Sequence, residues 1–214
     1  MKHWVAGLGA LGALLLALPA QALPIPGLFN TGVDGSGNAL SAGAADPHFS
    51  ILAPSQAAVV INDAIPGTWL PNTATRRWVW QQANGQPTNT TLTFRLSFDL
   101  AGLNPATASI TGEWATDNAG DDILINGVST GNTCSGFTAL CGFNVNSAFV
   151  GGINTLDFVV RDFGVISGFL VSSIGGDADA LNGQADVPEP ASLALLGLGL
   201  AGLGTAIRRR RAAR

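Results

Sequence analysis

The sequence has little of the usual catalytic chemistry. Its 214 residues include no Tyr, one Met, two Cys and two His, and His48 is the only His beyond residue 3. A Ser–His–Asp triad would have to recruit His48, and no Gly-x-Ser-x-Gly turn is present. Glu113 is the only Glu between residues 23 and 186, so a glycosidase pair would need Glu113 together with Asp117. These scarcities predict a protein that is not an enzyme and has no catalytic residues.

Positive charge is also scarce in residues 23–186, which we call the body. The body has four arginines against thirteen acidic residues, a net charge of −9. Nucleic-acid binding requires clustered Lys and Arg side chains that neutralise phosphates. The composition therefore excludes a nucleic-acid partner. An acidic surface favours solubility, cation binding or contact with neutral glycans.

The only two cysteines, Cys134 and Cys141, lie seven residues apart in a stretch rich in Gly, Ser and Thr. In the oxidising environment of an exported protein, such a pair forms a disulfide. A zinc site is a poor alternative because no His lies near them. The sequence therefore predicts a Cys134–Cys141 disulfide that holds one surface loop in shape.

The N-terminus has the three parts of a secretory signal peptide. Lys2 and His3 form a short positive segment, residues 4–18 are apolar, and Ala20-Gln21-Ala22 is an A-x-A cleavage site. We therefore expect residues 1–22 to be removed, and the remainder to be exported through the inner membrane.

Three further segments follow one another at the C-terminus. The first is a short acidic motif, the second is the uncharged, mainly Ala, Leu and Gly run of residues 191–207, and the third is basic. As a helix, the uncharged run would extend about 25 Å, enough to cross a thin bilayer core. Arginines that follow such a helix stay in the cytoplasm. The pattern predicts a transmembrane helix at 191–207. The acidic motif is Val187, Pro188, Glu189 and Pro190, and the basic cluster is Arg208, Arg209, Arg210 and Arg211.

Residues 187–214 resemble the PEP-CTERM sorting signal of Gram-negative bacteria, which has these three parts in this order at the C-terminus. The resemblance implies that an exosortase-type membrane protease-transpeptidase recognises Pro188, Glu189 and Pro190, and that the arginine cluster acts in retention. It implies a protein that is transiently anchored in the membrane and then reaches the cell surface or extracellular matrix, in bacteria that make exopolysaccharide. The alternative is an ordinary C-terminal anchor that is never processed, although such an anchor does not need a Pro-Glu-Pro motif.

The body shows the alternation of β-strands and no sustained helical periodicity. In residues 91–100, Leu92, Phe94 and Leu96 alternate with polar side chains, which is typical of a half-buried strand. Together with a tight turn at Asn126-Gly127, eight or nine short strands predict an all-β antiparallel sandwich. The other predicted strands are residues 49–53, 57–62, 76–82, 107–115, 122–128, 143–150, 154–162 and 166–174.

The segments around these strands differ from them in composition. Residues 23–47, rich in Gly, Asn, Ala and Pro, are predicted to be an irregular lead-in to a β-sandwich domain at 48–175. Residues 176–186, rich in Gly, Asp, Ala and Asn, are predicted to be a flexible linker to the sorting signal at 187–214.

Residues 108–175 are similar to the galactose-binding-like jelly roll of many bacterial surface and glycan-binding proteins. The similarity is carried by a strand with an acidic loop (114–118), a strand that ends in Asn-Gly (122–127) and a strand after a Gly-Asn turn (152–160). The resemblance implies a jelly-roll topology.

Trp69 is the candidate glycan-binding residue. It lies in a loop-like stretch with Pro66, Gly67 and Pro71, and sugars stack on exposed aromatic rings. Trp69→Ala is therefore expected to abolish glycan retention and to leave the thermal midpoint nearly unchanged. In contrast, Trp78 and Trp80 lie on the same face of a predicted strand, and we expect both to lie in the core.

Four polar residues crowd into one loop and form a candidate metal site: Asp117, Asn118, Asp121 and Asp122. Calcium takes several oxygen ligands on adaptable backbone, so these residues are a candidate structural calcium site, and no cofactor is expected otherwise. The alternative is that Asp and Asn are simply favoured in turns.

Two classes of function remain. The first is a non-catalytic surface or matrix protein associated with exopolysaccharide or biofilm. The second is a structural or adhesive surface protein that binds no sugar. Retention on glycan affinity gels distinguishes them.

Overall fold

The computed structural model describes residues 22–181, and this part of the chain is all-β with antiparallel pairing throughout. The predicted antiparallel all-β class is therefore confirmed. Within these residues, no helix reaches the length and hydropathy needed to cross a bilayer. The strands are β1 (Ala22–Pro24), β2 (Ala45–Ile51), β3 (Gln56–Val60), β4 (Val79–Trp80), β5 (Thr91–Asp99), β6 (Ser109–Asp117), β7 (Ala119–Ile125), β8 (Val128–Ser129), β9 (Cys134–Ser135), β10 (Cys141–Val145), β11 (Ile153–Arg161) and β12 (Gly168–Asp179).

Hydrogen bonds join these twelve strands into one sheet. Its order is β10-β6-β12-β4-β3-β2-β5-β11-β7-β8, with β1 paired to β12 and β9 paired to β7. We call the strands from β10 to β4 the first arm and those from β5 to β8 the second arm.

Alternating side chains give the sheet a buried face. In β5, Leu92, Phe94, Leu96 and Phe98 are at most 3% exposed, whereas Ser97 is exposed. Strand β5 pairs along its whole length with β11. The strand predicted at residues 91–100 is therefore confirmed, because its period-two pattern matches the pleat of a half-buried strand.

Aromatic rings pack between the two arms. The ring centre of Phe158 on β11 lies 5.1–5.7 Å from those of Trp114 on β6, Phe143 on β10 and Phe169 on β12. Phe94 on β5 lies 4.6 Å from Phe169. Because β5 and β11 do not hydrogen-bond to β6, β10 or β12, the two arms face each other across this aromatic core.

Trp78 and Trp80 are each 0% exposed, which confirms that they belong to the core. Both indole N–H groups find carbonyl acceptors at 2.8 Å, Leu70 for Trp78 and Pro87 for Trp80. Burial therefore leaves neither indole N–H without a hydrogen bond.

The predicted lead-in, residues 23–47, is mostly turns but is packed into the fold. Thr31 is 0% exposed, and its Oγ1 donates to the Arg77 carbonyl at 2.8 Å and accepts from the Val171 N–H at 3.0 Å. Strand β2 begins three residues before the predicted boundary at 48. That boundary was wrong because the buried polar residue Asp46 interrupts the apolar alternation.

The predicted flexible linker, 176–186, is wrong in its first part. Strand β12 continues to Asp179, and Ala180 still bridges to Leu103. A Cβ on Gly176 would lie 2.4 Å from the Ser109 carbonyl oxygen, so glycine permits close strand pairing here. Gly176, which contributed to the prediction of a linker, is therefore required by the sheet.

The Asn126-Gly127 turn is confirmed. Both residues have positive φ, 51° and 81°, and Ile125 pairs with Val128 across the turn. These values are typical of a two-residue hairpin turn. The strands predicted at 76–82 and 143–150 are shorter than expected and are limited to β4 and β10.

Strand register defines two ends of the folded body. At the end we call terminal, Ala22 pairs with Asp179, and Ser109 pairs with Asp177. At the opposite end, which we call distal, Asp117 pairs with Gly168. The nine residues of β6 separate the two ends by about 27 Å, at roughly 3.4 Å per residue.

The predictions for the two ends of the chain lie outside the described residues. These are the signal peptide up to residue 21, the linker from residue 182, the sorting signal at 187–214 and the transmembrane helix at 191–207.

Candidate functional site

A cleft of about 280 Å³ opens at the distal end. It is formed by the turn before β4, the end of β6 and the loop between β11 and β12. The residues that line it include Trp69, Asp117, Asn118, Phe137, Val165 and Ile166. We call it the distal cleft.

Trp69 is not the exposed platform that the sequence predicted. It is 5% exposed, and its ring lies 4.5 Å from that of Trp78. Its backbone N–H donates to the Pro66 carbonyl at 2.9 Å, which closes the turn that carries it. A Cβ on Gly168 would lie 2.5 Å from the indole ring. Trp69 is therefore a core residue, part of which lines the distal cleft, and its role in glycan binding stays a prediction.

The Trp69 indole also holds a buried carboxylate. Its Nε1–H donates to Oδ2 of Asp117 at 3.0 Å, and Oδ1 of Asp117 accepts from Asn118 Nδ2 at 2.6 Å. Asp117 is 6% exposed and has no cationic partner among the ion pairs of the described residues. The distal cleft thus contains an acceptor group bonded only to neutral donors.

The pKa of Asp117 is raised from 3.8 to about 6, mainly by burial. The hydrogen bond from Trp69 works against this increase, and the Asp162 charge adds to it. Burial disfavours the charged form of a carboxyl group, and a nearby like charge does the same. Asp117 therefore changes its charge within the pH range of many natural environments.

The loop after β11 is fastened by side chains along its first three residues. Oδ2 of Asp162 accepts from the N–H groups of Asn89 at 2.5 Å and Gly164 at 2.8 Å. The side-chain oxygen of Asn118 accepts from the Phe163 N–H at 2.7 Å. We call residues 162–166 the Phe163 loop.

This fastened loop exposes two large apolar side chains. Phe163 is 60% exposed and Val165 is 91% exposed, and Val165 lines the distal cleft. The guanidinium carbon of Arg161 lies 5.1 Å from the centre of the Phe163 ring. In the described part of the chain, Phe163 is the one aromatic residue among the exposed large hydrophobic side chains.

Val165 also has an unfavourable backbone conformation. Its φ is +77°, a region in which a β-branched residue is a genuine outlier. Such strain costs about 1–3 kcal/mol and is concentrated at functional sites. Val165 is therefore both exposed and conformationally strained at the edge of the distal cleft.

The four predicted calcium ligands do not form one ligand set. Asp121 forms a bidentate ion pair with Arg161 at 2.8 and 2.9 Å. Oδ1 of Asp122 accepts from the backbone of Ile123 and Gly131. Asp117 and Asn118 bond to each other and to the elements of the distal cleft. In residues 22–181 no group of three or more His, Cys, Asp or Glu side chains is arranged to hold a metal ion. Calcium binding here stays a prediction that this geometry does not support.

The Cys134–Cys141 disulfide is confirmed, with a Cα–Cα distance of 5.6 Å. The loop that it closes contains Phe137, whose ring centre lies 6.3 Å from that of Trp69. The Phe137 carbonyl accepts from the Leu70 N–H at 2.9 Å. The disulfide therefore constrains one wall of the distal cleft.

The sequence reasoning missed the Phe163 loop because it fell between two predicted strands. The available signal was an apolar pair, Phe163 and Val165, around Gly164 in an inter-strand turn, where polar residues are usual. The role of Asp162 could not be found in this way, because its partner Asn89 is 73 residues away in the sequence and is brought to it only by the fold.

Comparison with known families identifies the C-terminal segment. Residues 186–211 match the family described as "PEP-CTERM protein-sorting motif". The motif predicted from the Val187, Pro188, Glu189 and Pro190 segment is therefore confirmed. It implies export, exosortase-dependent sorting and membrane-anchored delivery to the cell surface.

No curated protein matches the chain. Among solved structures, the chain is similar to one described as "Structure of CBM35 from Paenibacillus barcinonensis". The similarity has 17% sequence identity and a TM-score of 0.32, and it covers 59% of this chain and 91% of that chain.

Proposed function

We propose that the body is a jelly-roll β-sandwich that associates with extracellular polysaccharide, without catalysis, through the distal cleft and the Phe163 loop. The observation that carries this proposal is the exposure of Phe163 and Val165, 60% and 91%, on a loop fastened beside the cleft. Exposed apolar side chains that are grouped beside a cleft, unlike those scattered singly over a surface, are typical of interaction sites.

The chemistry of the distal cleft favours a sugar over a purely apolar ligand. A sugar ring presents an apolar face, which suits Phe163, and hydroxyl donors, which suit the oxygens of Asp117. Ligand sites commonly combine apolar walls with a few fixed polar groups in this way. The net negative body disfavours acidic polymers, so neutral or cationic polysaccharides are the proposed class.

The proposal includes the sorting pathway. Residues 1–22 would be removed as a signal peptide, and the precursor would be held by the transmembrane helix at 191–207. An exosortase-type protease-transpeptidase would then recognise Pro188, Glu189 and Pro190 and release the protein to the cell surface, matrix or biofilm. Intact-mass measurement of protein from the native host checks this. Arg208–Arg214 still attached in a host that has an exosortase would contradict it.

A panel of polysaccharide gels tests the binding role. We expect the wild-type body to be retained on neutral or cationic gels, and Phe163→Ala to weaken binding about two- to tenfold, since an aromatic contact contributes about 0.5–1.5 kcal/mol. The matched control is Ile153→Ala, which removes an apolar side chain of 66% exposure from the terminal end. Equal loss in both variants would contradict the proposed site. If the folded wild type is retained on no gel, the structural or adhesive alternative replaces the proposal.

A further inference from the structure

Two buried carboxylates at the distal end have no basic partner within residues 22–181. Asp117 and Asp162 are 6% and 2% exposed, and neither takes part in an ion pair of this part of the chain. The side chains that donate to Asp117, those of Trp69 and Asn118, are neutral. Burying an ionised carboxylate without a cationic partner is costly. A cation bound at this place would offset that cost.

Asn118 holds the two carboxylates near each other. Its side-chain nitrogen donates to Oδ1 of Asp117 at 2.6 Å. Its backbone N–H donates to the Arg161 carbonyl at 3.3 Å, and its side-chain oxygen accepts from the Phe163 N–H at 2.7 Å. Asn118 therefore contacts the residues on both sides of Asp162. Burial raises the pKa of Asp117, and the charge of Asp162 adds to the increase, which agrees with this proximity.

The two carboxylates differ in what they can offer a ligand. Oδ1 of Asp162 is buried and has no hydrogen-bond partner in the described part of the chain, but Asp162 does not line the distal cleft. It therefore contributes its charge and not a contact. Asp117 does line the cleft, and a carboxylate has about four lone-pair sites, of which two are used here. A donor in the cleft can therefore bond to Asp117 directly.

The basic group at this end of β11, Arg161, is already engaged. Its guanidinium pairs with both oxygens of Asp121 and lies 5.1 Å from the centre of the Phe163 ring. Apart from Asp117, the residues that line the cleft are neutral. The charge of the cleft therefore attracts a cation, and the net negative body adds to this attraction.

We infer that the distal cleft selects polysaccharides whose sugars carry free amino groups, with the sugar ammonium bound to Asp117 and the sugar ring beside the Phe163 loop. The inference deepens the proposed function and rests on it for the choice of cleft. A primary ammonium has three N–H donors, and an amino sugar combines it with an apolar ring face that suits Phe163. A lysine side chain has the ammonium but lacks the ring, so an amino-sugar polymer is favoured over a basic polypeptide.

Binding of such a polymer depends on pH in two directions. Because the pKa of Asp117 is raised to about 6, this carboxyl group is neutral at low pH and gains its charge as pH rises through about 6. The sugar ammonium loses its charge at higher pH. Affinity should therefore be greatest where Asp117 is ionised and the sugar amine is still protonated, and it should decline on both sides.

Two oligosaccharides that differ only at nitrogen test the inference on the full-length chain. One is a short β-linked glucosamine oligomer with free amines, and the other is the same oligomer with every amine acetylated. Isothermal titration calorimetry near the pKa of Asp117, about 6, gives both dissociation constants. We expect the free-amine form to bind about tenfold more tightly, the usual effect of one hydrogen bond between charged groups.

Three variants separate the charge of the cleft from its apolar contact. Asp117→Asn should weaken binding of the free-amine form about tenfold and leave the acetylated form nearly unchanged. Phe163→Ala should weaken binding of both forms alike. Asp177→Asn is the matched control, because it removes one exposed carboxylate from the terminal end. It should leave both affinities unchanged.

Equal affinity of the wild type for the two oligomers, or tighter binding of the acetylated form, would overturn the inference. An equal loss in Asp117→Asn and Asp177→Asn would overturn it too, because it would indicate attraction to net charge alone. If Asp117→Asn does not fold, the wild-type pH profile decides: a preference for the free-amine form that persists where Asp117 is protonated rejects the inference. Trilysine that binds as tightly as the free-amine oligomer also rejects it.

The same measurements keep this inference and the proposed function apart. Binding of both oligomers without preference would reject the selection of amino sugars and leave the polysaccharide role standing. Binding of neither oligomer would reject the selection of amino sugars, and the proposed function would fall with it only if the full-length chain is also retained on no gel of the wider panel.

Discussion

The Trp69 indole N–H donates to Oδ2 of Asp117 at 3.0 Å, and both side chains are almost completely buried. This hydrogen bond joins the turn before β4 to the end of β6. It forms part of the distal cleft and partly offsets the cost of burying an unpaired carboxylate.

Asp117→Asn should remove one component of the pH dependence of stability. Because the pKa of Asp117 is raised from 3.8 to about 6, the folded state binds its proton more tightly than the unfolded state. Stability contributed by this group is therefore present at low pH and is lost as pH rises from about 4 through 6. Denaturant unfolding of both proteins from pH 4 to pH 8 measures this.

The informative quantity is the difference in unfolding free energy between wild type and Asp117→Asn. The lost hydrogen bond from Asn118 lowers stability by a constant amount, and Asp46, whose pKa burial also raises, contributes equally to both proteins. If the difference in unfolding free energy between the two proteins does not change with pH, the raised pKa of Asp117 is contradicted.

Trp69→Ala should strongly destabilise the body. Truncating a buried Trp lowers the free energy of unfolding by about 3–5 kcal/mol, because burial is lost and a cavity forms. This replaces the expectation that the thermal midpoint stays unchanged. Phe163→Ala, at a site with 60% exposure, should change stability by no more than about 0.5 kcal/mol. Similar unfolding midpoints for the two variants in urea would show that Trp69 is not a core residue.

Val165→Gly should stabilise the body and weaken ligand binding. Glycine removes backbone strain of about 1–3 kcal/mol but adds about 0.5–1 kcal/mol of unfolded-state entropy, so a net gain of roughly 1 kcal/mol is expected. Val128→Gly is the matched control, because Val128 is 54% exposed and does not have positive φ. It should lose stability. Loss of stability in both variants by thermal unfolding would contradict the strain at Val165.

Replacing both Cys134 and Cys141 with Ala should lower the unfolding free energy by about 2–3 kcal/mol, the chain-entropy cost of opening a short loop. The wall of the distal cleft at Phe137 should loosen, which faster hydrogen exchange at the Leu70 N–H would report. Addition of a reductant should reproduce the effect in wild type and change nothing in the variant. If the reductant destabilises the variant equally, the disulfide is not the cause.

Two arginine–aspartate pairs with the same bidentate geometry should differ in energy because of burial. Arg95 binds Asp157 at 2.7 and 2.6 Å, and the Asp157 side chain is 6% exposed. Arg95→Ala would leave that carboxylate unpaired and should cost about 2–3 kcal/mol, somewhat less than in a fully buried pair. Arg161→Ala breaks the exposed pair with Asp121 and should cost clearly less, because solvent screens an exposed ion pair. Equal losses in urea unfolding would contradict this reasoning.

Strand pairing shows where sequence reasoning succeeds and where it fails. Residues 91–100 could be assigned because one face is buried, and burial of one face produces period-two alternation. The end of β12 could not, because the close approach of Gly176 to Ser109 replaces side-chain packing and removes the alternation. Composition alone does not distinguish glycine that permits pairing from glycine in a flexible linker.

The sequence by itself determined the features that depend on local order along the chain. These are the all-β class, the Asn126-Gly127 turn, the pairing of the only two cysteines in residues 22–181 and the PEP-CTERM motif at 186–211. Only the tertiary structure decided which side chains are buried in loops, because burial depends on residues that are distant in the chain. Trp69 is covered by Trp78 and bonded to Asp117, whereas Phe163 is held in solvent by Asn118. The exposed aromatic residue of the distal end is therefore not the one that its local sequence suggested.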